Sequence, residues 1–374
     1  MPMSRSSQVV DRGDAVREYL VYVGTYNKAK GRGIHAFRFD VTTGQLTSLG
    51  LATEAVNPTF VTTDPRGRFL YATKEVARHE GKKSGAVRAF TIDRRTGKLR
   101  FLNEVASGGT IPCYVSLDRA AKSVLVANYG SGSVEVIHLL DDGRLGKITA
   151  FDRRAGTSVN PDRQEGPHAH WINVSPDNRY ALSSDLGLDK VFVYRFDEKT
   201  GTLEPNDPAY AMVAPGSGPR HIAFAPSGRF VYLINELKST ITTFSYNAAR
   251  GALRKLQTVS TLPKKFKGQS DCAEIAVSPS GKFVYGSNRG HDSIAVFAVD
   301  SQKGTLTAVE RVSTQGKIPR HFAIDPTGSY LLVGNQASDS LVVFRIDQKT
   351  GRLSPTGQSL RVPSPACVRF VATM

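Results

Sequence analysis

Short apolar runs separated by turn residues cover nearly all of the 374-residue chain. Runs such as "RFVYLINE" and "KFVYGSNR" are rich in β-branched and aromatic residues, and Gly, Pro, Asn and Asp stand between them. Such short runs are typical of strands, because a helix needs apolar positions three and four residues apart over a longer stretch. The pattern therefore predicts an all-β protein.

One turn recurs seven times, as an acidic or amide residue, a few polar residues, Gly, any residue and Leu. The Asp or Asn caps its own turn, and the glycine supplies the positive φ that closes a hairpin. Successive turn glycines lie 46 to 58 residues apart, at Gly44, Gly97, Gly143, Gly201, Gly251, Gly304 and Gly351. A period near 50 residues that is made of hairpins indicates a β-propeller.

Each period contains four predicted strands, but the first period, which begins at "EYLVYVGTYN", lacks the strand that follows a proline elsewhere. That strand occurs at the end of the chain as "PACVRFVA", residues 365–372. We therefore predict a seven-bladed β-propeller with four antiparallel strands per blade, closed by pairing of the C-terminal strand into the N-terminal blade. Residues 18–374 form this single domain, after a disordered lead-in at residues 1–17.

Two positions in each period vary while the strands between them stay alike. The start of the first strand and the end of the second lie at the same end of an antiparallel pair, so both positions should surround one mouth of the central channel. The first set is Thr59, Cys113, His170, Arg220, Ala273 and Arg320, and the second is Thr25, Glu75, Tyr129, Leu186, Glu236, Arg289 and Gln336. A ring of mixed charge on a rigid scaffold predicts a binding or catalytic site.

Structural roles remain open for several of these residues. A histidine at the start of a strand often only completes hydrogen bonds, which applies to His170 and to His168 in "GPHAH". Arg220, Arg320 and Glu236 could serve only as ion-pair partners.

Two further histidines, His221 and His321, follow directly on arginines of the ring. Strand alternation directs them away from the channel, and we interpret both as structural.

The net charge of +16 is spread over turns, which favours a solvated basic surface first and an anionic ligand second. No apolar run approaches the roughly 18–20 residues that span a bilayer, and the N-terminus lacks the apolar centre of a secretory signal. Three distant cysteines, Cys113, Cys272 and Cys367, show no metal-ligand spacing. We expect a cytoplasmic protein that uses no metal or cofactor and binds neither membrane nor nucleic acid.

Several motifs occur in the order found in a known family: "VGTY", "GPHAH", "DLGLDKVFVYRFD", "GPRHIAF", "INEL", "SNRGHDSIAVF" and "NQASDSLVVFRID". Over about residues 18 to 374 the chain resembles the seven-bladed lactonase propellers, which include one type of bacterial 6-phosphogluconolactonase and the fungal carboxymuconate lactonizing enzymes. The resemblance implies a catalytic group of one histidine, two arginines and one glutamate, which falls on His170, Arg220, Glu236 and Arg289.

The resemblance implies metal-independent hydrolysis of a sugar-acid lactone, with 6-phosphogluconolactone as the leading substrate. His170 would take a proton from water with the help of Glu236, while Arg220 and Arg289 would hold the carbonyl oxygen and the anionic group. Substrate-binding roles are expected for His168, Arg320, Glu75, Tyr129 and Gln336.

Two other functions remain open: a lactonizing cycloisomerase, and a propeller that binds a ligand without turnover. We expect the partner to be a small anionic lactone and the protein to be a monomer or a weak homo-oligomer.

Overall fold

The computed structural model describes residues 17–26 and 33–373. Blade 1 begins with β1 (Glu18–Thr25), β2 (Gly33–Asp40) and β3 (Leu46–Glu54). Blade 2 contains β4 (Val61–Thr63), β5 (Phe69–Lys74), β6 (Ala86–Ile92) and β7 (Leu99–Ala106). Blade 3 contains β8 (Pro112–Leu117), β9 (Ser123–Asn128), β10 (Ser133–Leu139) and β11 (Leu145–Arg153). Blade 4 contains β12 (Ala169–Val174), β13 (Tyr180–Asp185), β14 (Lys190–Asp197) and β15 (Thr202–Met212).

Blade 5 contains β16 (Pro219–Phe224), β17 (Phe230–Asn235), β18 (Thr240–Asn247) and β19 (Ala252–Ser260). Blade 6 contains β20 (Asp271–Val277), β21 (Phe283–Arg289), β22 (Ser293–Val299) and β23 (Leu306–Ser313). Blade 7 contains β24 (Pro319–Ile324), β25 (Tyr330–Asn335), β26 (Ser340–Ile346) and β27 (Leu353–Arg361). The last strand, β28 (Pro365–Ala372), returns to blade 1.

The seven sheets close into a ring. The innermost strands touch in cyclic order, β28, β4, β8, β12, β16, β20, β24 and again β28, and so enclose a central channel. β28 pairs antiparallel with β1, with Tyr19 opposite Ala372 and Val23 opposite Val368. This closure protects the inner edge of blade 1. The predicted fold, strand count and closing strand are confirmed.

The recurring glycine has a packing role besides its backbone role. Gly304 has φ +72°, and a Cβ there would overlap the ring of Phe230 in the preceding blade. Gly351 has the same relation to Phe283. Each of these turns therefore requires glycine twice, for its positive φ and for the aromatic ring of the neighbouring blade.

The inner strands carry a β-bulge at the channel mouth. In blade 4, Ala169 pairs with Asp185 and Trp171 with Ser184, which leaves His170 between them without a partner. A bulge bends the strand and re-aims the extra side chain. The residues left out of the pairing in this way are Ala366, Cys113, His170, Arg220 and Arg320. Four of the six residues predicted for the start of the first strand, Cys113, His170, Arg220 and Arg320, are therefore bulge residues.

Two other predictions concern the N-terminal residues and membrane-spanning segments. The predicted disordered lead-in lies outside the described residues except for Arg17, whose carbonyl accepts a bond from the Val41 N–H at 3.0 Å. In the described part of the chain no helix is long and apolar enough to cross a membrane.

Candidate active site at the channel mouth

The buried carboxylate of Glu236 lies at the centre of the mouth. Its Oε2 accepts a hydrogen bond from Nε of Arg220 and forms an ion pair with Nη2 of Arg289, both at 2.9 Å. Its Oε1 accepts a bond from Nη2 of Arg163 at 2.6 Å. Burial opposes the charge of Glu236, but the surrounding arginines hold the pKa of this carboxyl well below its usual range. Glu236 is therefore ionised and binds three guanidinium groups.

Backbone contacts between blades 5 and 6 position this cluster. Glu236 follows β17 directly, and its N–H donates to Gly218 O at 2.7 Å. Arg220 Nη1 donates to Ala273 O at 2.7 Å, and Arg289 Nη2 donates to Cys272 O at 2.8 Å. Burial and the neighbouring Arg289 lower the pKa of Arg220 to about 10, so Arg220 stays charged at neutral pH. Both arginines are thus fixed in direction as well as paired.

His170 lies beside the carboxylate. Its Nε2 is 4.0 Å from Glu236 Oε2, and its Nδ1 is 3.8 Å from the Sγ of Cys113. Burial and the nearby Arg220 hold the pKa of His170 well below its usual value, although Glu236 acts in the opposite direction. The imidazole is therefore neutral at physiological pH and can accept a proton next to an anion.

A second polar group faces this cluster from blades 7, 1 and 2. Arg320 Nη2 donates to the Tyr26 hydroxyl at 2.9 Å, and that hydroxyl donates to Glu75 Oε1 at 2.7 Å. The hydroxyl of Thr59 donates to the other oxygen of Glu75. The space between the two groups has a volume of about 10 Å³, which is room for about one water. A ligand larger than one water must therefore bind on the outer side of these residues.

Three more residues with predicted binding roles lie at the rim. The ring of Tyr129 stacks on that of His168 at 4.3 Å, and it meets His170 edge to face at 5.5 Å. Both ring nitrogens of His168 have protein partners, Tyr129 O at 2.9 Å and Glu165 Oε1 at 3.0 Å. His168 is therefore placed to hold the ring of Tyr129 in position. Gln336 begins a 3-10 turn after β25, where its N–H donates to Ile318 O.

Sequence reasoning missed Arg163, which comes from the connection between β11 and β12. The side chain crosses from this loop to Glu236 in blade 5, and Nη1 lies 4.0 Å from Asp271 Oδ2 in blade 6. The repeat offers no equivalent position. The one available signal was length, because the interval between Gly143 and Gly201, at 58 residues, is the longest of the six between successive turn glycines.

The direction predicted for His221 and His321 was wrong, since both point into the channel. The Phe60 ring of blade 2 meets the His221 ring at 5.8 Å and the His321 ring at 5.5 Å, across the axis. The bulge at Arg220, and the equivalent one at Arg320, resets the alternation so that two consecutive side chains face inward.

Both histidines bind one buried carboxyl group below the mouth. Glu274 Oε2 lies 2.9 Å from His221 Nδ1 and 3.0 Å from His321 Nε2. The N–H of Val368 donates to His321 Nδ1, so the proton of this imidazole is on Nε2 and points at Glu274. Burial raises the pKa of Glu274 to about 8, and Arg220 only partly offsets this. The carboxyl group is therefore mostly protonated at neutral pH.

This raised pKa predicts a pH-dependent stability. A folded-state pKa above the unfolded value favours the folded state at low pH, and the contribution is lost as pH rises through about 8. Between pH 6.5 and 8.5 we expect the free energy of unfolding to fall by about 2 kcal/mol because of this group. Urea titrations of the wild type and Glu274→Gln over this range measure the difference. The same change in unfolding free energy between pH 6.5 and pH 8.5 in both proteins would contradict the prediction.

A cavity with a volume of about 760 Å³ lies at the opposite end of the channel. Its lining includes Glu274 and three aspartates, Asp64, Asp118 and Asp325, and each aspartate accepts backbone N–H bonds within its own turn. Their lone pairs are thus occupied by the hairpins between the first and second strands. The size of this cavity would favour it as a binding site, but the neutral base and the paired arginines lie at the mouth. The mouth is therefore the better candidate for the reactive site.

The family model described as "Lactonase, 7-bladed beta-propeller" matches residues 20–370. The chain belongs to this family. The resemblance seen in the sequence motifs is confirmed over nearly the whole propeller.

Relatives of this lactonase-family chain include named enzymes. It is 40% identical to the 6-phosphogluconolactonase of Bacillus subtilis, over 95% of this chain and 99% of that protein. It is 34% identical to a 6-phosphogluconolactonase of Formosa agariphila, over 81% of this chain and 85% of that protein. The solved structure of Pseudomonas aeruginosa periplasmic gluconolactonase, PpgL, superposes with a TM-score of 0.88 at 36% identity, covering 96% of this chain and all of that chain.

Proposed function

We propose that this protein hydrolyses the lactone of a sugar acid at the channel mouth, with 6-phosphogluconolactone as the substrate. One observation carries the proposal: the neutral imidazole of His170 lies 4.0 Å from a carboxylate that holds three arginines. Three guanidinium groups exceed the one carboxylate they share, so the site attracts anions, and a base is at hand for water.

In the proposed reaction His170 Nε2 takes a proton from the attacking water. The water oxygen bonds to the lactone carbonyl carbon, and negative charge develops on the carbonyl oxygen, where Arg220 and Arg289 stabilise it. The bond from this carbon to the ring oxygen then breaks. His170 returns its proton to the departing oxygen, and the products are a carboxylic acid and a hydroxyl group on the same chain.

Glu236 supports this reaction through its charge. With both oxygens bonded to arginines, it has little capacity to serve as the base itself. An anion near Nε2 instead stabilises the imidazolium that forms when His170 accepts the proton. We therefore assign the base to His170, and to Glu236 the role of holding the arginines and balancing charge.

For location we propose the cytoplasm. The support is the free state of three buried cysteines, Cys113, Cys272 and Cys367. We propose further that the protein acts as a monomer or a weak homo-oligomer, because the mouth is formed by blades of one chain.

The direct test measures hydrolysis of 6-phosphogluconolactone by the purified protein, beside unphosphorylated gluconolactone, with spontaneous opening subtracted. We expect rapid turnover of the phosphorylated lactone. Rates equal to the spontaneous background for both compounds would overturn the proposal and favour a cycloisomerase or a binding propeller.

A further inference from the structure

We propose that Arg163 recognises the anionic arm of the substrate, a phosphate monoester, and that its departure from Glu236 uncovers Oε1 of that carboxylate when substrate binds. This inference rests on the proposed function, since it assigns a substrate group to the same site. It makes Arg163 a specificity-determining residue, whereas Arg220 and Arg289 act at the lactone carbonyl.

Exposure separates Arg163 from the other two arginines. Its side chain is 36% exposed, against 3% for Arg220 and 13% for Arg289. Arg220 also directs Nε at Glu236 and Nη1 at Ala273 O. An anion that arrives from solvent therefore meets Arg163 first, and Arg163 has donor groups that remain accessible.

Hydrogen bonds and an ion pair fix the backbone of the loop that carries Arg163. Next to it, Gln164 is fully buried and donates from Nε2 to Leu186 O at 2.8 Å. Asn160 Oδ1 accepts the N–H of Arg163 at 3.2 Å, and Ser158 Oγ donates to Asp189 Oδ2 at 2.6 Å. The base of the loop is fixed by the buried pair of Arg154 and Asp185, at 3.0 Å. Such anchoring of an otherwise polar loop directs one long side chain over the mouth.

The contacts of the Arg163 head group suit an exchange of partners. It bonds to one oxygen of Glu236, while Asp271 lies at 4.0 Å and is partly exposed. At this distance Asp271 competes weakly for the guanidinium of Arg163. A phosphate monoester carries close to two negative charges and matches the paired donors of arginine, so it can replace the Glu236 oxygen as the partner.

Loss of the bond from Arg163 frees one oxygen of the Glu236 carboxylate. Oε2 of Glu236 keeps its bonds to Arg220 and Arg289, whereas Oε1 has Arg163 as its hydrogen-bond donor. When Arg163 turns to the phosphate, Oε1 becomes free to accept a bond from the attacking water beside His170. A substrate without phosphate leaves Arg163 on Glu236 and finds this oxygen covered.

The test compares Arg163→Ala, Arg163→Lys and wild type on 6-phosphogluconolactone and on unphosphorylated gluconolactone. We expect Arg163→Ala to lower the kcat/KM preference for the phosphorylated lactone about 10- to 100-fold, mainly through KM, because a charge-assisted pair is lost. Activity on gluconolactone should rise, because Oε1 of Glu236 is then uncovered without a phosphate. Arg163→Lys should recover part of the preference, because it restores the charge without the paired donors.

The matched control is Lys317→Ala, which removes another exposed cation, bound to Asp292 at 3.1 Å. We expect this variant to keep the wild-type preference. An unchanged preference in Arg163→Ala, or an equal loss in Lys317→Ala, would overturn the assignment of Arg163 while leaving the lactonase proposal intact.

Binding of the product acids gives a readout independent of turnover. By calorimetry the wild type should bind 6-phosphogluconate more tightly than gluconate, and Arg163→Ala should lose most of that difference. Equal discrimination in both proteins, or none in the wild type, would refute the role of Arg163 even if no lactone is hydrolysed.

Discussion

Replacement of His170 by Asn is expected to lower kcat for lactone hydrolysis by about 10²- to 10⁴-fold, the usual contribution of a positioned general base. Asn keeps a polar side chain of similar reach but cannot take a proton near neutral pH. The assay is hydrolysis of 6-phosphogluconolactone with the spontaneous rate subtracted. His138→Asn is the matched control, because His138 is exposed on the third strand of blade 3.

The pH profile adds a second check on the same residue. The pKa of His170 is held below its ordinary value by burial and Arg220, so kcat/KM of the wild type should stay level from pH 8 down to pH 6.5 and fall only at lower pH. A kcat for His170→Asn within threefold of wild type, together with an unchanged profile, would remove His170 from the reaction.

Glu236→Gln is expected to cost both stability and activity. The substitution preserves shape but leaves Arg163, Arg220 and Arg289 without their shared anion. Removing one partner of a buried ion pair typically costs about 3–5 kcal/mol of unfolding free energy, because the remaining charges stay buried without compensation. Urea unfolding measures the stability, and the lactone assay measures the activity.

Glu104→Gln provides the comparison for Glu236. Glu104 bonds to Lys74 and Arg88 in blade 2, so its loss also separates a carboxylate from several cations. We expect a smaller loss of stability there and normal turnover. The double variant Glu236→Leu with Arg220→Met should regain part of the stability but no activity. Full activity in Glu236→Gln would contradict the account of the cluster.

Most of the fold could be predicted from the sequence repeat, because the repeated residues have fixed structural roles. All seven turn glycines have positive φ, and in five of the seven turns the glycine also makes room for an aromatic ring of the neighbouring blade, so the period can be read directly from the sequence. The closing strand was predictable because Pro365–Ala372 supplies the one strand that the first period lacks. Strand ends could be assigned to one mouth because antiparallel pairing places them there.

The site was harder to predict where it departs from the repeat. His221 and His321 were placed on the wrong side because simple alternation takes no account of the bulge before them. Arg163 lies in a loop that only blade 4 receives, and its pairing with Glu236 spans 73 residues. Neither strand period nor turn spacing contains that contact.

The measurement that tests the central claim most directly is a crystal structure with the product acid, 6-phosphogluconate, bound. The account predicts the acid at the channel mouth, with its carboxylate beside His170 and Arg289 and its phosphate at Arg163. An acid bound instead in the 760 Å³ cavity at the other end of the channel would contradict it.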